Sequence, residues 1–135
     1  FLAFICRAVG PVPVIADVRQ RNNTTMSETP TIHWTGQSGQ KYKYWIHPRG
    51  ISLKPVPGNY VYAKETSPGR WTPVYIGQTG DLNERQSAKY KKACLDRNGA
   101  THIHVHTSGD EDSRRAEESD LIARWQPPCN KQGIE

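Results

Sequence analysis

Gly58-Asn59-Tyr60-Val61-Tyr62-Ala63 and Trp71-Thr72-Pro73-Val74-Tyr75-Ile76-Gly77-Gln78-Thr79-Gly80-Asp81-Leu82-Asn83-Glu84-Arg85 decide how this chain folds. Each opens on a run of aromatic and β-branched residues, the composition of a strand. Thr66-Ser67-Pro68-Gly69 between them is turn chemistry. The two runs therefore read as a β-hairpin. Gly77-Gln78-Thr79-Gly80 leaves the second strand as a loop. Asp81, with Glu84 three residues on, forms a capping box with Asp in the Ser/Thr place. A helix follows, on which Leu82, Arg85 and Lys89 share one face. An arginine beside an apolar contact is directed toward the sheet, with its stem packed and its head reaching water.

The pattern extends in both directions. Downstream the helix, broken into two, ends near Asn98-Gly99. Thr101 to Thr107 reads as a third core strand. Ser108-Gly109-Asp110 turns into a helix from about Asp112 to Trp125, stopped by Pro127-Pro128. Upstream, Thr31 to Ile46 alternates loosely around Gly36-Gln37-Ser38-Gly39, which predicts another hairpin. The fold class expected is α+β: a small, mainly antiparallel β-sheet flanked by helices, with an extra N-terminal β-hairpin. Residues 1–25 read as an upstream extension or linker, with Met26 as the native start. Residues 26–56 read as the hairpin extension, 57–131 as the main domain and 132–135 as a tail.

Composition narrows the function classes. The 135 residues carry 18 Lys+Arg against 13 Asp+Glu, a net charge of +5 and a pI near 9.2, which favours a polyanionic partner, nucleic acid first. Mean hydropathy is −0.77, and no apolar run approaches the ~20 residues that span a bilayer. Cys6, Cys94 and Cys129 form no CxxC pair and suggest no disulfide framework, so a reducing cytoplasm is the expected compartment.

Three groups of residues bear on chemistry. Glu118, Leu121, Ile122 and Trp125 share a helix face, which puts a carboxylate on an apolar stripe; Glu117 and Asp120 are expected to point into solvent. His102, His104 and His106 alternate with Ile103 and Val105. Successive histidines stand about 6.5–7 Å apart, too far for one ion to take all three, so a polar solvent face is preferred to a metal site. Lys41-Tyr42-Lys43-Tyr44-Trp45 interleaves base and aromatic. An edge strand protected by lysine is preferred to a nucleic-acid contact strip.

The motifs resemble those of the GIY-YIG nuclease family over roughly residues 57–131. Gly58-Asn59-Tyr60 stands for the GIY triplet, with Asn59 where Ile or Val is usual. Tyr75-Ile76-Gly77 stands for YIG, and Arg85 falls ten residues after Tyr75. Glu118 precedes Leu121-Ile122, Pro127 and Asn130, a closing phrase similar to that of the nuclease domain of the bacterial nucleotide-excision-repair incision subunit. The tyrosines are fifteen apart (75 − 60), with Thr66 to Arg70 as the extra loop, and Lys89 stands where a histidine is frequent.

The resemblance implies a one-metal endonuclease that hydrolyses phosphodiester bonds in DNA, with DNA repair, a mobile element and phage defence all open as its setting. Glu118 would be the protein ligand of Mg²⁺ or Mn²⁺, with waters completing the shell. Tyr60 would be the general base and Tyr75 would orient it or the water. Arg85 would bind phosphate and favour the phenolate. Lys89 would contact phosphate, Asn130 would buttress the site, and Gly77 would let the backbone approach substrate. The alternative is a nucleic-acid-binding module of the same fold with little activity. RNA remains open as the substrate.

Overall fold

The computed structural model describes residues 29–87 and 91–131. Five strands form one sheet in the order β1-β2-β5-β3-β4, each adjacent pair antiparallel. They are β1 (Thr31–Thr35), β2 (Lys41–Pro48), β3 (Gly58–Ser67), β4 (Arg70–Thr79) and β5 (His102–Thr107). Among the described residues the helices are α1 (Leu82–Ser87), α2 (Lys92–Arg97) and α3 (Glu111–Trp125), followed by a 3₁₀ turn, Pro128–Asn130. The architecture is the α+β arrangement read from the hydrophobic pattern.

Helices cover both faces of the sheet, which explains why β3 reads Tyr60-Val61-Tyr62-Ala63 without a polar break: every one of these side chains is buried. Tyr60, Tyr62, Tyr75, Ile103 and Val105 pack with Leu82 of α1, Leu95 of α2 and Cys129. Trp34, Tyr44, Val61, Ala63 and Ile76 pack on the other side against Leu121, Ile122 and Trp125 of α3. Complete burial of Leu121 alone is worth about 1.5–3 kcal/mol.

Local signals fix the ends of the elements. Asp81 Oδ1 accepts from the Glu84 amide at 3.0 Å and starts α1. Asp110 Oδ2 accepts from the Ser113 amide at 2.8 Å and starts α3. Gln126 ends α3 in the left-handed region (φ 44°), and Pro127 prevents continuation.

The structure corrects four expectations. β2 is not an edge strand: it lies between β1 and β5, because the N-terminal hairpin joins the main sheet through β5. The histidine strand is not a solvent face. β5 is central, so α3 and the hairpin cover its outward side chains. His104 is fully buried, accepting at Nδ1 from Trp34 Nε1 (3.0 Å) and packing on Trp71.

Glu117 is buried, and Asp120, half-buried, is held by the hairpin rather than pointing free into solvent. The hairpin reaches under α3, so Tyr44 donates to Glu117 Oε2 at 2.5 Å, while Asp120 accepts from Ser38 and Tyr42. Cys94 and Cys129 form a disulfide although 35 positions separate them, since α2 and the 3₁₀ turn pack side by side on the tyrosine face. The cysteine argument for a reducing compartment thereby loses its premise.

Candidate active site

The motif tyrosines meet because β3 and β4 pair with Tyr60 opposite Gly77 and Tyr62 opposite Tyr75. The Tyr60 and Tyr75 rings are tilted, their centroids 6.0 Å apart. The phenol end of Tyr60 lies over Gly77, so a Cβ at that position would overlap the Tyr60 hydroxyl and ring carbon. Glycine is required here for close approach, between the strands of the hairpin itself. Tyr60 is 1 % exposed and Tyr75 8 %. The Lys91 ammonium stands 5.1 Å from the centroid of the Tyr75 ring.

Arg85 is half-buried on α1, whose Leu82 packs against this tyrosine face. Its charge is felt at Tyr62: burial raises that phenol's pKa, and Arg49 and Arg85 oppose the rise. Asn130 grips the free edge of β4, where its side-chain amide accepts from the Ile76 N–H (2.7 Å) and donates to the Ile76 carbonyl (2.8 Å). Both backbone groups of the middle YIG residue are thus satisfied as a neighbouring strand would satisfy them. The Cys94–Cys129 bond anchors the residue before it.

Glu118 belongs to the helix of the opposite layer. One turn earlier, Arg114 donates from Nε to Gln78 Oε1 on β4 at 2.9 Å. Four residues bring a helix back to the same side, so Glu118 occupies the flank of α3 turned toward β4. Its carboxyl is half-buried, and desolvation raises its pKa against the pull of Arg115. Among the described residues it makes no hydrogen bond or ion pair. No group of three or more His, Cys, Asp or Glu that could hold a metal exists among those residues. A lone, partly desolvated carboxylate still fits a largely hydrated divalent cation, which needs one or two carboxylates rather than a protein cage.

Lys89 lies outside the described residues. Several contributors escaped the sequence reading. Lys91 falls in a helix break and carries no motif. Glu117 forms a buried group with Tyr44 and His106, the His106 Nε2 lying 3.5 Å from Oε1; desolvation raises the Glu117 pKa, partly offset by those two partners. Asn59 in the GIY triplet donates to the Arg114 carbonyl at 2.9 Å, tying β3 to α3 where an aliphatic residue could only pack. The available signal for this last contact was the amide itself, standing at position 59 of the triplet where an aliphatic is usual.

No protein-family profile matches this chain, and no curated protein does. Among solved structures, it is similar to the GIY-YIG N-terminal endonuclease domain of UvrC from Thermotoga maritima bound to its catalytic magnesium. That match has 20 % identity and a TM-score of 0.48, and covers 58 % of this chain and 86 % of that one. A tyrosine-to-phenylalanine point mutant of the same domain, also with its divalent cation, matches at 18 % identity, a TM-score of 0.48 and the same coverage. The likeness is one of chain trace.

Proposed function

We propose that this chain is a metal-dependent endonuclease hydrolysing phosphodiester bonds in DNA. The observation that carries the reading is the Tyr60–Tyr75 pair, with Tyr60 seated on Gly77, the Lys91 cation over the Tyr75 ring and the Arg85 charge acting on the neighbouring Tyr62. Hydrolysis needs a proton removed from the attacking water, charge balanced on the phosphoryl oxygens and a stabilised leaving oxygen. Burial supports exchanging the roles that the motif suggests for the tyrosines. Tyr75 is the less enclosed of the two, at 8 % exposure, and carries a cation over its ring, so its oxygen, as phenolate, takes the proton from water. Tyr60, almost wholly enclosed, holds Tyr75 in place.

Arg85 presents a planar fork to two phosphate oxygens. Asn130 fixes the strand that carries Tyr75. Glu118 would hold Mg²⁺ or Mn²⁺, which when bound supplies Lewis-acid stabilisation at the phosphate.

The test is cleavage of supercoiled plasmid and a branched oligonucleotide with Mg²⁺, Mn²⁺ or chelator, beside Glu118→Ala. Metal-dependent nicking that Glu118→Ala abolishes is expected. Absence of cutting, with salt-sensitive binding unchanged in Glu118→Ala, would replace the reading with a binding module.

A further inference from the structure

The N-terminal hairpin continues the tyrosine face of the sheet. Registered partners run straight across four strands: Trp45, Val105, Tyr60 and Gly77 form one row. His47, Ile103, Tyr62 and Tyr75 form the next. Alternation along β2 places Lys41, Lys43, Trp45 and His47 on this same side. α1 and α2 cover the tyrosine end of the face, whereas no described helix covers the hairpin end. Trp45 is 38 % exposed, and Lys41 and Lys43 are exposed. The Lys43 ammonium lies 5.3 Å from the Trp45 ring centroid.

Beside Trp45 is a cleft of about 430 Å³, within the range of small-ligand sites. Leu53, Val56, Leu82 and Val105 make its apolar walls, with Trp45 as one side. Lys54 and His47 stand among the polar lining residues, and none of the described lining residues is acidic. The outer wall is fastened to the helix that carries Arg85: the Leu82 amide donates to the Val56 carbonyl (2.9 Å), and the Leu53 amide donates to Asn83 Oδ1 (3.1 Å). Cleft and candidate active site therefore share α1 and β5.

We infer that this surface binds a single-stranded segment of nucleic acid, one unstacked base resting against Trp45 in the cleft and the flanking phosphates on Lys43 and Lys54. Charge complementarity selects the occupant: an apolar slot with a lysine rim and no carboxylate among its described lining residues suits a polyanion that carries flat, apolar-faced groups. An exposed aromatic on an open sheet face is the arrangement on which unpaired bases stack. A duplex keeps its base faces stacked and has none to offer. The inference deepens the endonuclease reading and rests on it: the substrate class becomes DNA with an unpaired or extruded nucleotide next to the cut.

The experiment measures binding of a labelled oligothymidylate and of an abasic strand with the same number of phosphates, for the full chain and for Trp45→Ala. Base stacking is worth about 1–3 kcal/mol, so Trp45→Ala should weaken oligothymidylate binding roughly 5- to 150-fold and leave the abasic strand unaffected. The abasic strand should already bind wild type more weakly by a similar factor. Trp45→Phe should recover most of the loss. Lys43→Ala with Lys54→Ala should weaken both strands alike and flatten the salt dependence.

Equal affinity of wild type for the two strands overturns the inference whether or not Trp45→Ala folds. Tryptophan emission of the free full chain that acrylamide does not quench also overturns it, since the face would then be covered by the chain itself. Plasmid cutting on the same samples separates the two readings. Metal-dependent cutting with no preference for bases removes this inference and leaves the endonuclease. Base-dependent binding without cutting does the reverse.

Discussion

Replacing Cys94 and Cys129 by alanine tests how far the C-terminal turn depends on its covalent tie. The bond closes a loop across a sequence separation of 35. In the chain-entropy treatment a loop of that size destabilises the unfolded ensemble by about 4 kcal/mol at 25 °C. A domain of this size holds on the order of 5–15 kcal/mol in total, so the loss is a large share. With an unfolding entropy near 2.1 cal/mol/K per residue over roughly 100 ordered residues, the midpoint should fall by about 15–20 °C.

Both cysteines are buried, at 2 % and 0 % exposure, so a reductant added to folded protein acts slowly and the double substitution is the cleaner perturbation. Thermal unfolding followed by circular dichroism gives the midpoint. Alkylation in denaturant without reductant, read by mass spectrometry, gives the number of free thiols. One of the three cysteines should react before reduction and all three after it. Three alkylated cysteines before reduction, or a midpoint within about 3 °C of wild type in the double variant, would refute the reasoning.

Other perturbations address the site and the core. Asn130→Ala leaves the Ile76 N–H and carbonyl without their side-chain partner and should cost about 1–3 kcal/mol in urea unfolding, with a loss of plasmid nicking larger than the loss of folded protein. Gly77→Ala puts a methyl group into the Tyr60 ring and should destabilise by about 1–3 kcal/mol; paired with Tyr60→Leu it should become nearly neutral, and simple additivity would contradict the contact.

Burial holds the His104 pKa at about 3, below its ordinary value, with His102 and His47 adding to the effect. The folded state therefore binds fewer protons than the unfolded one between about pH 6.5 and 3. The stabilisation is complete above pH 6.5 and is lost as pH falls toward 3, by on the order of 4 kcal/mol. A His104→Phe chain with the same acid slope would show that this group is not the cause. Glu118→Gln removes a half-buried charge that has no hydrogen-bond partner among the described residues, so it should leave the midpoint unchanged or slightly raised while nicking is lost. A strong drop in stability would mean that the carboxylate is structural.

The sheet and its helices were legible because their signals are local. The aromatic runs of β3 and β4, the Asp81 and Asp110 caps and Pro127 act over a few residues. The GIY-YIG resemblance was legible because it is an ordered series of short phrases. What stayed hidden depends on which layers meet. Glu117 and Asp120 look solvated on a helical wheel, and only the hairpin's arrival under α3 buries one and binds both. His104 looks polar in sequence, yet on a central strand covered on both faces it is core. The Cys94–Cys129 pairing needed α2 and the 3₁₀ turn to be neighbours, which spacing cannot show.

The strand order also bears on how the molecule assembles. Among the described strands the two hairpins are joined by pairing only through β5, and Trp45 meets Val105 across 60 positions of sequence. Each hairpin closes on contacts near in the chain, whereas the sheet is complete only when β5 inserts between them. Inserting one strand fixes two long-range registers at once, so the slow step of folding is expected there. During synthesis both hairpins would leave the ribosome before β5, each with an open edge. For that interval β2 and β3 are the surfaces from which misassembly would begin, and a chaperone would have to shield them.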